Sequence, residues 1–126
     1  MKIALLIPAY NVEKYVAFCL DSVLNQTYKN FEVFIMNDGS TDNTLKILNE
    51  YAKSDERIHI FSQQNKGLTC TRNELLEKVP NDCDAIMHLD SDDMIHPKTL
   101  ETALYYMQKY KADVVDLLDS IGYWKN

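Results

Sequence analysis

Short apolar runs alternate along the chain with longer segments in which apolar residues recur every three or four positions. The runs cover residues 3–7, 31–36, 58–61, 85–89 and 114–118 and are rich in β-branched or aromatic residues, which predicts strands. The segments between them have the spacing of amphipathic helices. The predicted order is therefore β-α-β-α-β-α-β-α-β.

The helical segments place their apolar residues on one face each. These are Val12, Val16, Leu20 and Val23 or Leu24 in the first, Leu45, Leu48 and Ala52 in the second, Leu68, Leu75, Leu76 and Val79 in the third, and Leu100, Ala103, Leu104 and Met107 in the fourth. Ser40 and Asp42 are expected to cap the second helix, and Pro97 suits the first turn of the fourth. Such alternation predicts an α/β fold with a mostly parallel sheet and helices on both faces.

Polar residues collect where the predicted strands end. They form the segments Pro8-Ala9-Tyr10-Asn11, Asn37-Asp38-Gly39-Ser40, Asn65-Lys66-Gly67 and Asp90-Ser91-Asp92-Asp93. In open parallel sheets, ligands bind beyond the carboxyl ends of the strands. The sequence therefore predicts that one edge of the sheet carries the chemistry.

Composition narrows the class of protein. The chain has 126 residues, 46% of them hydrophobic, which is enough for one core without disulfides or structural metal. Its net charge of −6 argues against a nucleic-acid duplex or an anionic membrane surface as the main partner. Cys19, Cys70 and Cys83 lack C-x-x-C spacing and fit reduced, cytoplasmic thiols. The apolar start is interrupted at Pro8, so we expect neither a transmembrane segment nor an ordinary signal peptide there.

The acidic run from Asp90 to Asp93 is the strongest chemical signal. The pair Asp90 and Asp92 can present carboxylate oxygens to one side, which suits Mg²⁺ or Mn²⁺ and leaves positions for phosphate oxygens. A turn with a helix cap explains one aspartate comfortably and a second with effort. Three crowded carboxylates would repel one another without a cation, so the run predicts a metal site.

Three other side chains are candidates for ligand contacts, each with an ordinary alternative. Tyr10 can stack on a nucleobase or pack locally on the surface. Asp38 ends a strand and can accept a hydrogen bond from a base imide, whereas Gly39, Ser40 and Asp42 are explained by a strand-to-helix turn. Arg72 can pair with a phosphate or form a surface ion pair with Glu74 or Glu77.

Taken together, five motifs in order resemble the family 2 glycosyltransferases with the GT-A fold. They are Pro8-Ala9-Tyr10-Asn11, Leu24-Asn25-Gln26-Thr27-Tyr28, Asn37-Asp38-Gly39-Ser40-Thr41-Asp42, Asn65-Lys66-Gly67 with Arg72-Asn73, and Asp90-Ser91-Asp92-Asp93. The resemblance covers residues 3 to about 118. It implies a nucleoside-diphosphate-sugar donor, usually UDP-linked, transfer with inversion to a saccharide or lipid-linked acceptor, and a place in the cytoplasm or at the inner face of the membrane.

The resemblance also implies roles for matched residues. Pro8, Ala9 and Tyr10 would hold the uracil and ribose, and Asp38 would take the uracil imide. Arg72 would approach the diphosphate. Asp90 and Asp92 would form the DxD pair that binds Mg or Mn, with Asp92 the direct ligand.

Two departures from the family pattern qualify these expectations. Asn37 stands where the family often has the first Asp of Asp-Asp-Gly-Ser. Family members also continue beyond the equivalent of Asn126 into an acceptor-binding half that supplies the general base, and no residue here matches that base. Residues 1–126 are therefore expected to form a single domain, the donor-binding half.

Other functions stay open at this point. A catalytically idle module that binds nucleotide sugars would show the same motifs. A phosphoacceptor signalling domain has a similar length and element order, but it needs acidic residues after the first and third strands, where this chain has Tyr10-Asn11 and Asn65-Lys66-Gly67. A nucleotidyltransferase would need a Gly-rich basic loop near the first strand, which is lacking.

Overall fold

The computed structural model describes residues 1–115. Four strands and four helices alternate in the predicted order: β1 (Ile3–Ala9), α1 (Val16–Leu24), β2 (Phe31–Asp38), α2 (Thr44–Ser54), β3 (Ile58–Gln63), α3 (Leu68–Lys78), β4 (Ala85–His88) and α4 (Thr99–Tyr110). Of the fifth predicted strand, Val114 and Val115 are not in strand conformation, and residues 116–118 lie outside the described part of the chain.

The four strands form one parallel sheet in the order β3-β2-β1-β4. β1 is central and is buried along its whole length, as expected of a strand covered on both faces. Its register with β2 runs from Ile3 opposite Phe31 to Ala9 opposite Asn37. The carboxyl ends of the strands consequently meet at one edge of the sheet.

Alternate side chains of β1 enter two separate cores, because successive residues of a strand point to opposite faces. Ile3, Leu5 and Ile7 join the larger core, which α1, α2 and α4 cover with residues including Leu20, Leu48 and Leu100. Ala4 and Leu6 join the smaller core, where Leu75 of α3 packs. The prediction of helices on both faces of the sheet is confirmed.

Some helix boundaries differ from the sequence-based expectation. α1 begins at Val16, because the carbonyl of Val12 accepts hydrogen bonds in a preceding turn. Asp42 does accept a hydrogen bond from the backbone N–H of Thr44, the first residue of α2, at 3.0 Å. The expected cap by Ser40 is wrong, since its hydroxyl binds the β1–α1 loop instead.

Pro97 is also not in the first turn of α4, which begins two residues later at Thr99. Its carbonyl accepts a hydrogen bond from the backbone N–H of Thr27 at 2.9 Å. The proline therefore belongs to the loop that connects the acidic run to α4.

Candidate active site

A cleft of about 540 Å³ lies at the carboxyl edge of the sheet. All the sequence-predicted site residues except Arg72 line it. The lining residues are Pro8, Ala9, Tyr10, Val12, Asp38, Asn65, Gly67, Leu68, Thr71, Asp90, Ser91 and Asp92. The ends of β1, β2 and β4 and the start of α3 thus contribute to one concave surface.

One wall of the cleft is the β1–α1 loop, and the β2–α2 loop holds it in place. The backbone N–H of Asn11 donates to the Ser40 hydroxyl at 3.0 Å, and the Asn11 side-chain oxygen accepts from the N–H of Thr41 at 2.8 Å. The N–H of Val12 donates to the Thr44 hydroxyl at 2.9 Å. These bonds fix the backbone that follows Tyr10, a residue that is 49% exposed at the cleft.

Asp38 is buried at the floor of the cleft and is held by the end of β3 and the β3–α3 loop. Its Oδ1 accepts hydrogen bonds from Gln63 Nε2 at 2.9 Å and from the N–H of Lys66 at 2.8 Å, and its Oδ2 accepts one from the N–H of Gly67 at 3.0 Å. Burial by itself raises the pKa of this carboxyl, but the donated hydrogen bonds outweigh burial and hold the pKa below its usual value. Asp38 is therefore ionised and fixed in orientation.

Gly39 allows the β2–α2 loop to approach the β3–α3 loop closely. Its φ of +72° is in the left-handed region, and a Cβ at this position would lie 2.7 Å from the backbone nitrogen of Asn65. The Asn65 side chain donates to the carbonyl of Asp38 at 3.1 Å. A larger residue at position 39 would push the loop away from the carboxylate that it holds.

The acidic run gathers three carboxylates at the opposite wall of the cleft. One oxygen each from Asp90, Asp92 and Asp93 lies within 4.8 Å of the others. Asp90 and Asp92 are exposed, whereas Asp93 is 6% exposed. The prediction named only Asp90 and Asp92 as metal ligands; the Asp93 carboxylate lies in the same group because the turn is closed by a hydrogen bond from the N–H of Asp93 to the carbonyl of Asp90 at 3.1 Å.

These residues fit a divalent cation of the Mg²⁺ or Mn²⁺ type. Both ions are hard and prefer oxygen ligands, and the group offers three carboxylates within reach of a single ion. The acidic run also faces the cleft, where phosphate oxygens can complete the coordination.

Polar side chains of α1 and of the segment just after it support the loop that carries the acidic run. The Cys19 thiol donates to the carbonyl of Asp90 at 3.6 Å, and the Ser22 hydroxyl accepts from the N–H of Ile95 at 3.1 Å. Gln26 donates to the carbonyl of His96 at 2.7 Å and accepts from the N–H of Leu100 at 3.0 Å. Sequence reasoning missed this support; its signal was the presence of Cys19, Ser22 and Gln26 in and just after an otherwise apolar helical segment.

Cys19 illustrates how close α1 lies to the acidic run. Burial, followed by the charges of Asp93, Asp92 and Asp90, raises the pKa of its thiol well above the usual range. The thiol is thus neutral and buried, which agrees with its interpretation as a reduced structural cysteine.

Arg72 lies on α3 and reaches the acidic run. Its Nη2 donates to Asp90 Oδ1 at 3.0 Å. The surface ion pair considered for Arg72 with Glu74 or Glu77 is not the one formed, and Glu74 instead faces Lys66 at 3.5 Å. The seven predicted site residues consequently meet at one place, with Arg72 bound to the acidic wall.

The family model for "Glycosyl transferase family 2" matches residues 4–120, which is nearly the whole chain. The chain belongs to glycosyltransferase family 2. The predicted resemblance is therefore confirmed at the level of the family.

Curated relatives agree with this assignment. The chain is 41% identical over 113 residues to "Glycosyltransferase GlyA" of Streptococcus pneumoniae, covering 90% of this chain and 16% of that protein. It is 40% identical over 107 residues to the chondroitin synthase of Escherichia coli, covering 85% of this chain and 15% of that protein. The chain thus spans about a sixth of the length of these two relatives.

A solved structure shows the same fold. The Staphylococcus aureus TarS fragment 1–349 in complex with UDP-GlcNAc superposes with a TM-score of 0.82 and 31% identity, over 90% of this chain and 33% of that one. The family 2 member therefore has the GT-A fold that its motifs predicted. None of the helices within residues 1–115 is long and apolar enough to cross a membrane.

Proposed function

We propose that this chain is the donor-binding portion of a metal-dependent glycosyltransferase that moves a sugar from a UDP-sugar, with inversion, to a saccharide or lipid-linked acceptor. The observation that carries the proposal is that Tyr10, Asp38, Asp90 and Asp92 line the same cleft. TarS, whose structure contains UDP-GlcNAc, supports the choice of a UDP-linked donor.

The uracil and ribose would occupy the wall formed by the end of β1. The exposed ring of Tyr10 offers a stacking face, and the adjacent backbone of Pro8 and Ala9 is held rigidly by the central strand. Asp38 Oδ2 accepts a hydrogen bond from the N–H of Gly67, and because a carboxylate oxygen can accept more than one, it would also take the imide N–H of the base.

The diphosphate would lie across the cleft towards the acidic run. Asp90, Asp92 and Asp93 would hold Mg²⁺ or Mn²⁺ there, with Asp92 as a direct ligand. When bound, the ion supplies neutralisation of the negative charge that develops on the leaving UDP. The three carboxylates would hold the ion, and the Cys19 thiol steadies their turn by donating a hydrogen bond to the carbonyl of Asp90.

The reaction breaks the bond between the anomeric carbon and the diphosphate oxygen while the acceptor hydroxyl oxygen forms the new bond on the opposite face. The hydroxyl proton passes to a general base, and UDP leaves with the bonding electron pair. Attack on the far side requires an aligned acceptor and a base within hydrogen-bond distance. We propose that the acceptor site and this base are contributed from outside the 126-residue chain, which accordingly binds donor but transfers sugar poorly.

Isothermal titration calorimetry with UDP, with and without Mn²⁺, tests the proposal. We expect the chain to bind UDP more tightly with Mn²⁺, and Asp92→Asn to abolish the gain because a metal ligand is lost. Tyr10→Ala should weaken UDP binding by about tenfold or more, the order of a lost base-stacking contact. Glu56→Gln is the matched control, since it removes an exposed carboxylate at the amino end of β3. Absence of binding at millimolar UDP by the folded chain would refute the donor site.

A further inference from the structure

Arg72 is bound to the acidic run at the position where a metal is expected to bind. Its Nη2 lies 3.0 Å from Asp90 Oδ1, and the two side chains are 40% and 50% exposed, so small ligands can reach the pair. Its Nε is buried and lacks a hydrogen-bond acceptor. A guanidinium has five N–H donors, so the contact with Asp90 leaves most of its hydrogen-bonding capacity unused.

We infer that Arg72 is a resident counter-ion of the acidic run, which a divalent cation displaces from Asp90 and thereby frees to bind the donor diphosphate. The binding of Arg72 to the donor diphosphate rests on the proposed function. The displacement of Arg72 from Asp90 by the metal involves only the chain and the cation.

Electrostatics favours exchange over simultaneous binding. Asp90 Oδ1 already accepts from the guanidinium, and a divalent ion bound to the same carboxylate would lie only a few ångströms from that positive charge. The remaining carboxylates, Asp92 and Asp93, keep the ion in place after Arg72 leaves. A displaced guanidinium is well suited to a diphosphate, whose oxygens match its paired N–H donors.

Exchange makes an unusual prediction for Arg72→Gln: the affinities for metal and nucleotide should change in opposite directions. Mn²⁺ alone, measured from the EPR signal of the free ion, should bind about three- to fivefold more tightly, because it no longer displaces an ion pair. UDP at saturating Mn²⁺ should bind roughly tenfold or more weakly, because a charged hydrogen bond to phosphate is lost. Arg72→Lys, which retains the charge, should return both affinities towards those of the wild type.

Lys66→Gln is the matched control. It also removes one positive charge beside α3, but Lys66 faces Glu74 and not the acidic run. Its affinity for Mn²⁺ should stay within about twofold of the wild type, since exposed ion pairs contribute little. Unchanged or weaker Mn²⁺ binding by Arg72→Gln would overturn the inference, even if wild type binds UDP. Failure of wild type to bind UDP would instead overturn the proposed function.

Side-chain NMR of the wild-type chain provides a test that does not depend on a variant folding. The chain has two arginines, Arg57 and Arg72, and Arg57 is paired with Asp55 at 2.8 Å, far along the sequence from the acidic run. Addition of Mg²⁺ without nucleotide should shift the guanidinium ¹⁵N resonances of Arg72 and leave those of Arg57 in place. Saturation with Mg²⁺ without any change at Arg72 would contradict the exchange.

Discussion

At the residue scale, Asp38 is both the last residue of β2 and part of the lining of the cleft. The register of the sheet sets Asp38 opposite Gln63, and their side chains are bonded although they lie 25 positions apart. The same carboxylate orders the loop that opens α3, through the N–H groups of Lys66 and Gly67. One buried charge therefore shapes the floor of the cleft before any ligand binds.

Asp38→Asn should lower the free energy of unfolding by about 1–3 kcal/mol at pH 7, because the amide group leaves buried donors without a good acceptor. The pKa of Asp38 is lowered in the folded state, so its stabilisation is complete above the ordinary carboxyl pKa and is lost as pH falls through the folded-state value. The difference between the two proteins should thus be constant from pH 5 to 7 and shrink below roughly pH 4. Urea denaturation at each pH measures it.

The exposed Asp113→Asn is the control for this experiment and should leave stability within about 0.5 kcal/mol. A difference between Asp38→Asn and wild type that grows on acidification would contradict the assigned ionisation.

The position of Asp38 at a strand end could be predicted from the sequence, but its hydrogen-bond partners could not. Its strand-end position follows from a local apolar run, which is readable from neighbouring residues. Its bonds to Gln63 and to the loop depend on the register between two strands and on a close approach at Gly39, neither of which is encoded within one local segment. Asp93 was missed for a related reason, since the turn geometry decides which aspartates of the run converge.

At the element scale, α1 acts as a support for the acidic loop as well as a core helix. Its apolar residues pack against the sheet, while Ser22, together with Gln26 just beyond its carboxyl end, binds the backbone between Ile95 and Leu100. Gln26 is fully buried, and both ends of its amide are bonded. The amphipathic pattern predicted the helix correctly, but such a pattern does not distinguish a buried amide that holds a loop from one that is merely tolerated.

Gln26→Ala should destabilise the chain by about 2–4 kcal/mol, because it leaves the buried N–H of Leu100 without its acceptor, removes the hydrogen bond to the carbonyl of His96 and opens a cavity. Mn²⁺ affinity should fall as well, since the loop that carries Asp92 loses an anchor. Urea denaturation and Mn²⁺ titration measure the two effects. Gln108→Ala, at an exposed position of α4, serves as the control. Retention of wild-type stability in Gln26→Ala would show that the amide does not anchor the loop.

At the scale of the whole molecule, the order of elements was the most predictable feature. Apolar runs of strand length alternate with amphipathic segments, and right-handed crossovers then leave few arrangements for a parallel sheet. The position of β4 next to β1, which brings the acidic run beside Tyr10, is a long-range pairing. It is consistent with the predicted single edge but was not specified by any one motif.

The outer edge of β4 is an exposed apolar feature of the described chain. Within residues 1–115, β4 pairs with β1 and no strand covers its other edge. A largely apolar cavity of about 590 Å³ borders it, lined by residues that include Leu76, Ile86 and Met107. Unpaired backbone groups beside apolar side chains favour pairing with another strand, so we predict that the 126-residue chain self-associates through this edge.

Ile86→Lys should suppress that self-association, because a charge on an edge strand opposes pairing with a second copy. Ile86 is 47% exposed, so the free energy of unfolding should change by no more than about 0.5 kcal/mol. Sedimentation velocity over a range of concentrations measures the effect. Phe18→Lys makes a similar exchange at an exposed position on α1 outside this cavity and should associate like wild type. If wild type and Ile86→Lys associate equally, the β4 edge is excluded as the contact. If Ile86→Lys and Phe18→Lys both suppress association to the same extent, the effect is due to net charge and not to the β4 edge.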